Sequence, residues 1–140
     1  MAMQKRIMAI DLGDARTGLA VSDPLGMICG EAWTVEEWNM ERLSQTIVEA
    51  AEARDVGLLI LGLPKNMDGT EGVRAEKSRA FRELLALKTD LPVQFWDERR
   101  SSIEAHQILH ANGRREKKHR RTVDAVAASL ILEGYLGSLP

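Results

Sequence analysis

KRIMAIDLGDARTGLAVS, the stretch from Lys5 to Ser22, decides how this chain folds. Its opening, Lys5 to Asp11, is a short apolar run closed by a carboxylate, and its end, Thr17 to Ser22, is built from β-branched and small apolar residues. Between them Gly13-Asp14-Ala15-Arg16 supplies the residue types that tolerate tight turns. Two strand-like runs joined this way predict an antiparallel hairpin. Pro24 and Gly26 mark a further reversal, after which Cys29 to Thr34 extends the antiparallel group.

Downstream the periodicity changes. Leu43, Ile47, Ala50 and Ala51 recur at helical spacing between Met40 and Arg54, with Asn39 placed to cap the helix. Val56 to Leu63 (VGLLILGL) is apolar throughout, as expected of a strand covered on both faces. Pro64 to Gly72 (PKNMDGTEG) is a loop, and Val73 to Leu87 is a second helix that turns Phe81, Leu84 and Leu85 inward. Leu91 to Trp96 (LPVQFW) is the last strand. Ser101 and Glu104 have capping-box spacing, so a helix is expected there, running through Ile108 and Leu109 to a stop at Gly113. A basic loop follows, and Thr122 caps the final helix. Three strands followed by alternating helices and strands predict an α/β fold with a mixed five-stranded sheet flanked by helices, in a single domain spanning 1–140.

Composition sets broad limits. With 44% apolar and 29% charged residues, the 140-residue chain has no bias toward disorder or a fibrous repeat. No apolar run approaches the roughly 20 residues of a membrane span, and no signal-peptide core follows Met1, so a cytoplasmic protein without a membrane partner is expected. The single Cys29 excludes an internal disulfide and is expected as a small buried core residue. The net charge of −2 conceals the run RREKKHRR from Arg114 to Arg121.

Three acidic positions fall where carboxylates need a reason. Asp11 ends the first strand on the face it shares with Ile7 and Ala9, an apolar surface on which an uncompensated charge is costly. The plainer account makes it a cap for the turn at Gly13. Asp97 and Glu98 follow the last strand, where alternation points them to opposite faces, so only one faces a shared site. Glu98 is the preferred member, and pairing of both with Arg99 and Arg100 is the competing account. Asp124 lies in the expected first turn of the last helix, and Ala127, Ala128 and Ile131 follow it three, four and seven positions on. The helix dipole alone would stabilise an Asp there by about 0.3–1 kcal/mol. Converging carboxylates repel one another unless cations neutralise them. An all-oxygen set suits Mg²⁺ or Mn²⁺, and no Cys/His spacing suggests zinc. Two such ions roughly 3.5–4 Å apart support phosphodiester hydrolysis. A polyanion needs positive charge around such a centre, which Arg16, Lys65, Arg99, Arg100 and the run containing Arg114, Arg115, Lys117, Lys118, Arg120 and Arg121 supply.

Four ordered segments, AIDLGDARTGLAVSD, LGLPKNMDGTEG, WDERRSSIEA and VDAVAASLILEGYL, together resemble the YqgF family, also described as RuvX-like or pre-16S rRNA nucleases. The resemblance runs nearly end to end. It implies a ribonuclease-H-like fold, a cytoplasmic bacterial protein, a role in maturing the 5′ end of 16S rRNA, and a metal site built from Asp11, Asp97-Glu98 and Asp124. It also implies that Arg16, Asn66, Asp68 and Arg99 shape the site or meet substrate; ordinary turn chemistry is the competing account for Asn66 and Asp68-Gly69. After Asp97-Glu98-Arg99 the family commonly has Leu and two hydroxyl residues, whereas this chain has Arg100, Ser101 and Ser102.

Three other functions compete. A resolvase for branched DNA would use the same metal chemistry but needs two coordinated cuts and hence a homodimer, whereas an RNA nuclease can act as a monomer. A non-catalytic ribosome assembly factor would bind RNA through the basic run and use its carboxylates structurally. A phosphotransferase of the actin and sugar-kinase type also opens with Asp-x-Gly and a hairpin, but it needs two such domains and a second Gly-rich phosphate segment.

Overall fold

A computed structural model describes residues 5–97 and 116–139, the side chains of 116–122 excepted. Five strands make one mixed sheet: β1 (Arg6–Asp11), β2 (Arg16–Ser22), β3 (Cys29–Glu36), β4 (Val56–Leu63) and β5 (Val93–Asp97). They lie in the order β3-β2-β1-β4-β5. The hairpin expected from Lys5 to Ser22 is present, with β2 antiparallel to both β1 and β3. β4 pairs parallel with β1, and β5 parallel with β4, each return passing through a helix.

The helices are α1 (Met40–Ala53), α2 (Val73–Ala86) and α3 (Glu116–Ser138). Asn39 caps α1 as its sequence suggests, its side chain accepting a hydrogen bond from the Arg42 N–H at 2.9 Å. Alternation along the strands divides the core between two faces. Met8, Ile10, Leu19, Val21, Leu59 and Leu61 pack with Leu43, Ile47 and Ala51 of α1 and Phe81 and Leu85 of α2. Ile7, Ala9, Ala20 and Ile60 pack with Ala128, Ile131 and Leu132 of α3. The second face is populated by smaller residues, which lets α3 lie close to the sheet. Among the described residues, no helix is long and apolar enough to cross a membrane.

Three expectations need correction or fall elsewhere. Thr122 does not cap the final helix, because α3 begins at Glu116 and takes in most of the run expected as a basic loop. Glu, Lys and Arg are good helix formers, so a charged run continues a helix without any apolar periodicity to announce it. Cys29 is only half-buried at the start of edge strand β3, and neighbouring Ile28 is 64% exposed. Partial burial pushes the Cys29 thiol above its ordinary pKa, with Glu133 and Glu31 adding to the effect. The helix expected between Ser101 and Gly113 lies outside the described residues.

Candidate active site

β1, β4 and β5 run parallel, so their carboxyl ends meet at one edge of the sheet, and β2 starts there. In open α/β sheets that edge is where ligands bind, beside the point at which connections part to either side. Asp11, the last residue of β1, stands directly across from Gly18 of β2. Opposite residues of an antiparallel pair share a face, and Gly18 shares its face with Ala20, beneath α3. A Cβ built on Gly18 would stand only 1.9 Å from the carbonyl oxygen of Asp124. The glycine therefore forms a seat for the α3 backbone at Asp124, over the strand position paired with Asp11. Both carboxylate residues are half-buried.

The helix start at Glu116 changes the account of Asp124. It lies more than two turns inside α3, and the dipole effect falls off within the first turn. The dipole explanation thus lapses, while the predicted stripe holds: Ala127, Ala128 and Ile131 are at most 1% exposed.

Arg16 opens β2 and places its Nε 3.5 Å from Oδ2 of Asp124. That Nε is buried and has no hydrogen-bond partner among the described residues. The β1–β2 turn is held rigidly. Gly13 donates its N–H to Thr17 Oγ1 at 3.3 Å, and a Cβ at Gly13 would collide with the Arg16 carbonyl at 2.0 Å. At the tip of the turn Asp14 pairs with Lys77 of α2, which holds the Asp14 carboxyl below its usual range.

Asp97, the last residue of β5, takes a register position on the other face of the sheet from Asp11. β5 is in register with β4 at Gly62–Trp96 and Leu63–Asp97. Trp96 belongs to the face under α3, where its ring stands edge-on to Tyr135 at 5.9 Å. Val93 and Phe95 belong to the opposite face, and alternation sends Asp97 there with them. Glu98, Arg99, Arg100, Arg114 and Arg115 lie outside the described residues, as do the side chains of Lys117, Lys118, Arg120 and Arg121. Among the described residues no group of three or more His, Cys, Asp or Glu gathers to hold a metal. Asp11 and Asp124 carry hard carboxylate oxygens, a donor chemistry that fits a divalent ion.

The loop after β4 lies at the same edge. Asn66 donates its side-chain N–H to Thr70 Oγ1 at 2.9 Å, and Asp68 Oδ1 accepts from the Thr70 N–H at 2.9 Å and its hydroxyl at 2.6 Å. Gly69, with φ 91°, takes the left-handed turn position. These contacts carry out the turn chemistry considered for Asn66 and Asp68. The backbones of Lys65 and Glu71 pair in an isolated antiparallel bridge, and Arg79 of α2 grips the Glu71 carboxylate with two hydrogen bonds of 2.7 and 2.8 Å, lowering the Glu71 pKa. The seat at Gly18 and the Asp14–Lys77 pair were missed from sequence. A glycine inside a strand is a signal for close backbone approach, and it was available for Gly18.

A mixed sheet whose first hairpin carries a carboxylate, with a helix laying a second carboxylate across it, defines the ribonuclease-H-like class. Solved structures agree on that fold. A T. thermophilus RuvC bound to a Holliday junction substrate matches with a TM-score of 0.60 at 13% identity, over 96% of this chain and 98% of its own. The Fowlpox virus resolvase bound to Holliday junction DNA matches with a TM-score of 0.58 at 12% identity, over 95% and 97%. Sequence relatives are nearer: a "Putative pre-16S rRNA nuclease" of Halothermothrix orenii is 43% identical over 131 residues, 94% of each chain. One of the same description from Clostridium acetobutylicum is 37% identical over 134 residues, 96% of this chain and 99% of its own. Residues 5–138 match RuvX, described as Holliday junction resolvase, and the chain belongs to that family.

Proposed function

We propose that this chain is a metal-dependent nuclease that hydrolyses RNA phosphodiester bonds, processing the 5′ end of pre-16S rRNA in the cytoplasm. The observation that carries the proposal is the seating of Asp124 on Gly18, directly across from Asp11. Carboxylates from opposite ends of the chain, set over neighbouring strands at one end of the sheet, supply the oxygen donors that hard cations take. The relatives described as pre-16S rRNA nucleases support the choice of RNA.

In this proposal Asp11, Asp124 and Glu98 hold Mg²⁺ or Mn²⁺, with Glu98 chosen because alternation takes Asp97 to the other face. The bound ions would supply an activated water and stabilise the departing oxygen. The remaining work belongs to the side chains around them. Asp11, rising from an apolar strand, is fixed in orientation by the hairpin. Lys65, Arg99 and the basic positions Arg114, Arg115, Lys117, Lys118, Arg120 and Arg121 draw in the phosphate backbone, a contact that positions substrate without reading sequence. Arg16 stands close enough to the carboxylate pair to meet the phosphate being cut.

A second substrate, branched DNA, is favoured by the description of the matching family. The test sets both against each other. Purified protein is incubated with precursor rRNA and with a four-way DNA junction, each in Mg²⁺, Mn²⁺ or chelator. Cleavage of the RNA at the 5′ side, abolished by chelator, is expected. Asp11→Asn should lower the rate by more than about 100-fold, since even outer-shell partners of a metal contribute roughly 10–100-fold. Cutting of the junction alone would move the substrate to DNA and require a dimer. Unchanged RNA cleavage by a folded Asp11→Asn protein would remove Asp11 from the catalytic site, and no cleavage of either substrate by the wild type with either metal would leave an assembly factor as the function.

A further inference from the structure

Arg16 is held at Asp124 in an unusual way. Its Nε lies 3.5 Å from Oδ2, within reach of the charge, but it makes no hydrogen bond among the described residues although the atom is buried. A guanidinium normally meets a carboxylate through two short parallel hydrogen bonds, the geometry that gives such pairs their strength. Here only the Coulomb attraction is used. The side chain remains 37% exposed and that of Asp124 22%, so the pair borders water from which another cation can enter. Glu36 of β3 is paired directly across from Arg16, so an acidic residue also neighbours it in the sheet.

We propose that Arg16 is the internal counter-ion of Asp124 in the metal-free protein and is exchanged for a divalent cation when the site loads. The inference rests on the metal-nuclease function above and adds a coupling to it. Metal-free, Arg16 neutralises Asp124 and keeps two neighbouring carboxylates from repelling each other. As an ion takes over Asp124, the guanidinium is released toward solvent at the edge where a phosphate arrives. Metal loading and phosphate capture then become linked. Each strengthens the other by the same factor, because a coupling free energy is reciprocal. The weak geometry of the Arg16–Asp124 ion pair is what makes the exchange possible, and the released guanidinium is the group that meets the phosphate.

The test needs no turnover. With ¹⁵N-labelled protein, the Arg16 Nε–H resonance, assigned by its loss in Arg16→Lys, is followed as Mg²⁺ is added, and Mn²⁺ affinity is measured by calorimetry for wild type and Arg16→Gln. The Nε–H resonance should shift with a midpoint equal to the Mg²⁺ dissociation constant. Arg16→Gln should bind Mn²⁺ roughly fivefold tighter or more, the lower end of ordinary coupling between sites. A metal that binds while the Arg16 resonance stays unmoved overturns the exchange, even if Arg16→Gln fails to fold. Equal or weaker Mn²⁺ binding by a folded Arg16→Gln overturns it as well. Absence of any Mg²⁺ or Mn²⁺ binding to folded wild type would instead remove the metal-nuclease function on which the exchange rests.

Discussion

Asp14 and Lys77 are 63 positions apart in the chain, and their contact ties the tip of the β1–β2 turn to α2. The Lys77 ammonium holds the folded Asp14 carboxyl below its ordinary pKa. The contribution is therefore present above the unfolded value of about 3.9 and is lost as pH falls through the folded value. Both side chains are well exposed, so Asp14→Asn should lower stability at pH 7 by only about 0.2–1 kcal/mol. The gap between the two proteins in urea melts should be narrower in acid, as the wild-type carboxyl takes up its proton, than at pH 7. An equal gap at both pH values would assign the loss to something other than this charge pair. No local signal in the sequence announces such a contact. Asp11 and Asp124, by contrast, were legible because each interrupts an apolar pattern, one along a strand and the other along a helical stripe. The pairing of Arg16 with Asp124 was not, since nothing at either position fixes how β2 and α3 meet.

At the scale of elements, the strands were the most legible part. β4 is continuously apolar because helices cover both its faces, and β1 and β2 alternate between the large residues under α1 and α2 and the small ones under α3. The start of α3 was misplaced because hydrophobic periodicity cannot mark a helical segment that has no apolar residues. The two positions give opposite signs for one substitution. A Thr at an N-cap loses about 1 kcal/mol when changed to Ala, whereas a Thr inside a helix gains up to about 0.7 kcal/mol from the better propensity of Ala. With α3 beginning at Glu116, Thr122→Ala is expected to raise the melting temperature slightly. A clear fall would restore Thr122 as the cap and return the residues before it to a loop. That outcome would also put Asp124 back in a first turn, where the helix dipole again accounts for its charge.

For the molecule as a whole, a net charge of −2 must be reconciled with a polyanionic substrate. Distribution decides the matter rather than the sum, because beyond a Debye length of about 8–10 Å the charges on distant surfaces are screened. α3 meets the sheet edge at Gly18 through Asp124, and its first eight residues, Glu116 to Val123, carry the backbone about 12 Å past that level at the rise of an α-helix. Five of those eight positions, Lys117, Lys118, His119, Arg120 and Arg121, are basic residue types. The helix thus carries this run of basic positions along its backbone beyond Asp124. Such a run should fix the path of the nucleic acid without specifying its sequence, and its signature is salt dependence. For single-stranded RNA bound in chelator, each phosphate contact contributes about −0.7 to the slope of log K against log salt concentration. Replacing Lys117 and Lys118 together by Gln should make that slope shallower by up to about 1.4 and weaken binding of unrelated RNA sequences to the same extent. A slope unchanged by the double substitution would mean that the strand leaves the site along another route, past Lys65 and the loop after β4.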